Sequence, residues 1–158
     1  MMPSEEYERA RKAAYRILTY RARTEYEIRE KLFQKGFNKE IISQVITSLK
    51  DYRMIDDQTY AESLVSSGQR CSPVELSGKL RRIGIKESII EKVLETVDPE
   101  AEYRIALTQA LSRKKRLGDK YSLERVAYFL RTRGFNQEVI ERVYNYLEGM
   151  PQPRDLDS

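Results

Sequence analysis

The chain has no histidine in 158 residues. That removes the usual general base, the commonest metal ligand and every Ser–His or Cys–His nucleophile pair. Cys71 is the single cysteine, so no intrachain disulfide can form. The opening MMPSEEYERARK is charged and carries no apolar stretch. It does not read as a secretory signal, and a reducing cytoplasm is the expected location. No apolar run approaches the roughly 18 residues a membrane span needs. GxxxxGK[ST], CxxC and HExxH are all missing, which removes the phosphate loop and the common zinc patterns. Asp56 and Asp57 form the one adjacent acidic pair beyond the N-terminus. They stand where a helix needs a cap rather than where a metal would sit. A non-enzyme without cofactor or metal is expected.

What is present is charge and helical periodicity. Hydrophobic residues make up 40% and charged residues 34% of the chain, which suits a helix-rich protein with a thin core. Seven glycines and five prolines leave room for long elements. The net charge is +4, and its excess lies in residues 1–55 and 98–150, while 56–97 is slightly acidic. A basic excess at both ends of the body hints at a polyanionic partner.

One turn is written three times, as FQKGFNKEII, RRIGIKESII and RTRGFNQEVI. Aligned on Gly36, Gly84 and Gly134, the match runs without gaps in both directions. Thr24, Ser72 and Ser122 fall in register, then Ile28, Leu76 and Val126, then Leu32, Leu80 and Leu130. Beyond the glycines, Ile42, Ile90 and Ile140 align, as do Val45, Val93 and Val143. A period near 50 repeated three times is the sign of a stacked array. Thr24 with Glu27 and Ser72 with Glu75 read as capping boxes, and Pro73 sits at a first helical position. Ser122 keeps the cap, but Arg125 stands where the box needs Glu. Each glycine offers the left-handed conformation that ends a helix, and Asn38 and Asn136 cap the next. Lys86 replaces that asparagine in the middle copy, so a weaker start is expected there.

A further helix precedes each pair. Residues 8–22 place Ala13, Ala14, Ile17 and Leu18 on one side. Residues 56–67 bury Tyr60, Ala61, Leu64 and Val65, and residues 98–115 present Ala106, Leu107, Ala110 and Leu111. The expected fold is all-α, an elongated tandem array of three three-helix repeats at 8–53, 54–97 and 98–148. Residues 1–6 and 149–158 are expected to be disordered ends.

Helix, glycine turn, helix is also the outline of a helix-turn-helix reader. Its second helix would need to be basic to enter the major groove. Here the third helices are neutral or acidic and would be repelled by phosphate. The positive charge lies elsewhere: Arg16, Arg21 and Arg23 on and after the first helix, then Lys79, Arg81 and Arg82 ending a later one. Arg113, Lys114, Lys115 and Arg116 lie in a segment (112–122) read as a linker, and Arg131 and Arg133 end another helix. These twelve are the candidate contact residues. Basic side chains near a helix C-terminus also simply complement the dipole. Tyr20, Tyr26, Tyr121 and Tyr128 lie near them, where a ring can stack on an unpaired base.

LTYRARTEYEIREKLFQKGF followed by IDDQTYAESLV resembles the RecX family, regulators of the bacterial recombinase RecA. The residues that carry the likeness are Leu18, Arg21, Arg23, Thr24, Glu27, Leu32, Gly36 and Phe37, then Ile55, Asp56, Asp57, Tyr60 and Ala61. The likeness spans roughly residues 10–148. It implies a monomer that binds the RecA–single-stranded DNA filament, with double-stranded DNA as a weaker ligand. It also implies inhibition of ATP hydrolysis, strand exchange and LexA cleavage by RecA. The middle segment SSGQRCSP carries one basic residue where relatives often have several, which puts a DNA contact there in doubt. The alternative is a sequence-independent DNA-binding repeat protein with no RecA contact.

Overall fold

In the computed structural model, residues 3–67 and 70–150 are described. Among them all regular structure is helical: α1 (Glu5–Tyr20), α2 (Glu25–Gln34), α3 (Lys39–Asp51), α4 (Asp57–Ser66), α5 (Pro73–Arg82), α6 (Glu87–Glu95), α7 (Pro99–Leu117), α8 (Leu123–Thr132) and α9 (Gln137–Glu148). A short 3-10 turn, Gly118–Lys120, follows α7. The expected all-α class with three helices per repeat is therefore present.

The capping chemistry predicted from sequence is in place. Thr24 accepts from the Glu27 amide while the Glu27 carboxylate accepts from the Thr24 amide, a complete box. Ser72 accepts from the Glu75 amide. Ser122 accepts from the Arg125 amide without the reciprocal bond. Gly36, Gly84 and Gly134 all take positive φ, between 81° and 91°. After each turn the chain bonds back to the preceding helix, as in Phe37 N–H to Leu32 O, Ile85 N–H to Leu80 O and Phe135 N–H to Leu130 O.

Several expectations need correction. α1 begins at Glu5 with Ser4 as its cap, so the N-terminus is ordered from there. Three acidic residues in the first turn suit the positive helix end. Gly149 caps α9, and Met150 packs on the core; residues 151–158 of the expected tail lie outside the described residues. The segment holding Arg113, Lys114, Lys115 and Arg116 is not a linker. α7 runs through it to Leu117 because nothing breaks the helix before Gly118, whose φ is 52°. In α4 only Ala61 is fully buried, with Tyr60, Leu64 and Val65 half-buried.

The chain divides into two compact units, Met1–Gly68 with Lys79–Glu95 and Gln69–Gly78 with Thr96–Ser158. The division falls inside α5, between Gly78 and Lys79. The first unit is built on Ala10, Ala14, Ile17, Ile28, Leu32, Ile41, Ile42, Val45, Ile46, Leu49 and Ile55. The second is built on Ala106, Ala110, Val126, Leu130, Phe135, Val139, Ile140, Val143 and Leu147. Small alanines on α1 and α7 let the following helix pairs approach closely, which is why these helices contribute little bulk.

Within each unit one contact recurs. In the first, the Thr24 hydroxyl donates to Ile83 O at 2.5 Å. Tyr26 lies against Gly84 so tightly that no Cβ fits there. In the second, the Ser72 hydroxyl donates to Arg133 O, and Val74 lies against Gly134 in the same way. Thr24 and Ser72 are wholly buried. The cap of one repeat's second helix thus seats the glycine turn of the next repeat. At Gly36, by contrast, no such neighbour lies within 4 Å of where a Cβ would stand.

Candidate nucleic-acid interface

α1 and α2 contribute Ala14, Ile17, Ile28 and Leu32 to one core. A groove of about 510 Å³ opens between them, lined by Ala13, Arg16, Ile17, Tyr20, Arg23, Lys31, Gln34 and Lys35. Four of the eight are cations, and none is acidic. Lys31 and Lys35 are one turn apart on α2 and its C-cap, and Arg16 and Tyr20 are one turn apart on α1, so each pair shares a face. Tyr20 ends α1 and is 86% exposed, which leaves its ring free. Arg23 is mostly covered; its guanidinium stands 3.6 Å from the Glu27 carboxylate, and its Nε is buried without a hydrogen-bond partner. Such a floor suits a chain of phosphates with a base stacked at the rim.

The groove takes two of the twelve sequence candidates, Arg16 and Arg23, and adds Lys31 and Lys35. The missed pair had a readable signal: two lysines four apart on the helix whose cap follows Arg23. Arg21 is turned to other work. Its guanidinium donates to Glu27 at 2.7 Å and reaches the Tyr60 hydroxyl at 3.4 Å. Burial pushes the Glu27 carboxyl up, but the bonds from Arg21 and the Thr24 amide outweigh it, leaving a pKa below the usual range. Glu25 is likewise lowered. Burial opposes this, and the bonds from Lys50 and Arg29 prevail.

The other candidates are dispersed. Lys79, Arg81 and Arg82 occupy the last turn of α5, and Arg81 is engaged by Glu87 through bonds of 2.9 and 2.6 Å. Arg131 lines a shallow cleft between α8 and α9 beside Glu124 and Glu141, where its charge is offset. Arg133 stands 3.7 Å from Glu75 and stacks on the Phe129 ring, as does Arg113. Lys114 lies over Tyr121. Lys115 and Arg116 are exposed at the end of α7. Of the four tyrosines singled out, Tyr26 is committed to Gly84 and Tyr121 to Lys114, while Tyr20 and Tyr128 are exposed.

Residues 10–49, which form this groove, match the model of the RecX first three-helix domain. A regulatory protein RecX of Caldanaerobacter subterraneus subsp. tengcongensis is 30% identical over 142 residues, covering 89% of this chain and 71% of that protein. The chain belongs to the RecX family. The RecX of Chlorobium limicola is also 30% identical, covering 85% of this chain and 86% of its own length. A crystal structure of RecX from Lactobacillus salivarius superposes with a TM-score of 0.81 at 23% identity, covering 92% of this chain and 99% of that one. Another RecX crystal structure gives 0.81 at 28% identity, covering 89% of this chain and 72% of that one. The two sequence relatives are named as regulatory proteins, which is not the name of an enzyme family. Among the described residues of this RecX-family chain, no helix is long and apolar enough to cross a membrane. No group of three or more metal-ligating side chains gathers there.

Proposed function

We propose that this RecX-family chain is a negative regulator of RecA. In this reading it binds the RecA–single-stranded DNA filament and lowers ATP hydrolysis, strand exchange and LexA cleavage by RecA. Family membership supports the RecA half of the reading. The observation that carries the DNA half is the α1–α2 groove, where Arg16, Arg23, Lys31 and Lys35 surround one cavity with no lining acid. Four cations in one groove attract a phosphate backbone without reading sequence, and Tyr20 offers a face to any base that leaves the stack. Regulation then works by differential binding: a protein that holds one filament state more tightly shifts the population toward it. A cytoplasmic monomer is part of the proposal.

The test is ATP hydrolysis by the cognate RecA on single-stranded DNA, titrated with this protein. Inhibition is expected below one molecule per RecA. The Lys31→Ala/Lys35→Ala variant is expected to need a higher concentration for the same effect. Unchanged hydrolysis at saturating protein, with DNA binding intact, would replace the regulator reading with that of a DNA-binding repeat protein. Salt separates the two further, because pure phosphate binding weakens steeply with ionic strength whereas a protein–protein contact persists.

A further inference from the structure

The helix positions that line the first-unit groove have counterparts in the second unit, where several aromatic and cationic positions are exchanged. Ala106 and Ala110 of α7 take the buried places that Ala10 and Ala14 hold in α1, and Tyr103 takes that of Tyr7. At this register Arg113 and Arg116 stand where Ile17 and Tyr20 stand in the first groove. On α8, aligned through Ser122 and Gly134, Phe129 and Arg133 stand where Lys31 and Lys35 stand, and Tyr121 where Arg23 stands. The side chains meet accordingly. The guanidiniums of Arg113 and Arg133 lie 5.0 and 5.1 Å from the Phe129 centroid, and the Lys114 ammonium lies 4.8 Å from that of Tyr121.

We propose that this cluster is a second phosphodiester site, one that holds a nucleic-acid backbone without stacking its bases. Three features carry the assignment. Phe129 holds both guanidiniums beside one ring; Arg133 also stands 3.7 Å from Glu75, yet each planar guanidinium has further N–H donors to offer a phosphate. Arg113 Nε is buried with no hydrogen-bond partner, as Arg23 Nε is in the first groove. Lys115 and Arg116, both exposed, extend the positive field along the end of α7. Phe129 has two cations beside it and Tyr121 one, so these rings are less open to a base than Tyr20. The first groove, with its lysines and its bare Tyr20, offers the opposite balance. One chain thus carries two polyanion sites of different character. The proposal shares with the function above the premise that a polynucleotide binds, but not the premise that RecA does.

The experiment uses the full chain without RecA and two fluorescent octamers, one of thymidines and one of abasic residues on the same backbone. Tight-binding titration of wild-type protein is expected to saturate at two thymidine octamers per chain. The Arg113→Gln/Arg116→Gln/Arg133→Gln variant is expected to saturate at one, and so is Lys31→Gln/Lys35→Gln. The surviving sites should then differ. With the second-unit site alone, the abasic octamer should bind within about twofold of the thymidine octamer. With the first groove alone, it should bind about tenfold or more weakly, the usual worth of one base–aromatic stack. Because Arg113 and Arg133 pack on Phe129, a further variant, Lys115→Gln/Arg116→Gln, removes charge from exposed positions only. It should lower the log–log salt slope of the second site by about 1.4, or 0.7 per charge on a single strand. Saturation of wild type at one octamer would overturn the second site, as would a stoichiometry of two in the triple variant. So would an abasic penalty equal at both sites. Displacement of the octamer by polyglutamate at equal charge concentration would assign the cluster to an acidic protein surface and also overturn the proposal.

Discussion

Substituting alanine at the three turn glycines separates two costs that usually travel together. Gly36, Gly84 and Gly134 share a positive φ, of 91°, 81° and 86°. An L-residue forced into that region loses about 1–2 kcal/mol. At Gly36 this is the whole expected loss, because nothing lies within 4 Å of the new methyl. At Gly134 the methyl would stand 2.5 Å from Val74 Cβ. At Gly84 it would stand 2.9 Å from Tyr26 Cδ1 and closer still to that residue's Cβ and Cγ. These neighbours are the roots of their side chains, so rotation cannot relieve the overlap and a helix must shift. Overpacking of this kind costs about 1–3 kcal/mol. The shift also pulls on the hydroxyl bonds Thr24–Ile83 and Ser72–Arg133, each worth about 1 kcal/mol. The expected losses are therefore about 1–2 kcal/mol for Gly36→Ala and about 3–6 kcal/mol for Gly84→Ala and Gly134→Ala.

Urea unfolding followed by circular dichroism measures the ordering through the midpoint, with the slope as a check on the unfolded state. A companion variant sharpens the result. Tyr26→Ala keeps the offending Cβ and should not rescue Gly84→Ala, whereas Tyr26→Gly removes it and should recover part of the loss. Equal destabilisation at all three glycines would refute the seating of cap on turn, and so would rescue by Tyr26→Ala.

The other predictions concern caps, charge and the groove. Ser72→Ala removes both a helix cap and the bond to Arg133 O, so a loss of about 2 kcal/mol is expected. Ser122→Ala removes a cap alone and should lose about 1 kcal/mol; calorimetric midpoints give the order. Glu25 and Glu27 have folded pKa values depressed below 4.5. Their stabilisation is therefore complete above the ordinary carboxylate range and is lost as pH falls below it. Asp57, raised mainly by burial, acts in the opposite sense, its ionisation costing stability as pH rises. Glu27→Gln should thus flatten the acid limb of the urea midpoint as pH falls below the ordinary carboxylate range. Tyr20→Ala should weaken single-strand binding by about 1–3 kcal/mol with the salt slope unchanged. Lys31→Ala/Lys35→Ala should lower that slope by about 1.4; anisotropy across a salt series reads both.

Much of the fold is legible because it is local. Thr24, Ser72 and Ser122 cap helices through bonds to residues three positions on, and the glycine turns close within six residues. Sequence and structure part where local signals run out. The run SRKKRL carries like charges and reads as solvated linker, yet it contains no breaker, and α7 simply continues to Gly118. Ser4 caps α1 but precedes no apolar residue until Tyr7, so apolar periodicity alone points to a later start than Glu5. The second hydrogen bond of Thr24 and Ser72, to carbonyls 59 and 61 residues away, has no local trace in the sequence at all.

The groove shows the same boundary from the functional side. Counting cations picked twelve residues, but a charge becomes a site only when its neighbours leave it available. Arg21 and Arg81 are spent on Glu27 and Glu87, while Lys31 and Lys35 pass unremarked in a helix of mixed charge. What selects the latter is the packing of α2 with α1 through buried residues such as Ala14 and Leu32, which carry no chemistry. The same packing, repeated with Ala110 and Leu130 in the second unit, brings Arg113 and Arg133 to one phenyl ring. The array therefore repeats a helix packing rather than a residue set, and each copy is free to exchange ring for charge. Conversion of the first groove tests that freedom directly. Tyr20→Arg with Lys31→Phe should reproduce the second unit's balance, so that discrimination between thymidine and abasic octamers falls from about tenfold to about twofold. Retention of the tenfold preference would mean that the bases are held by some ring other than Tyr20.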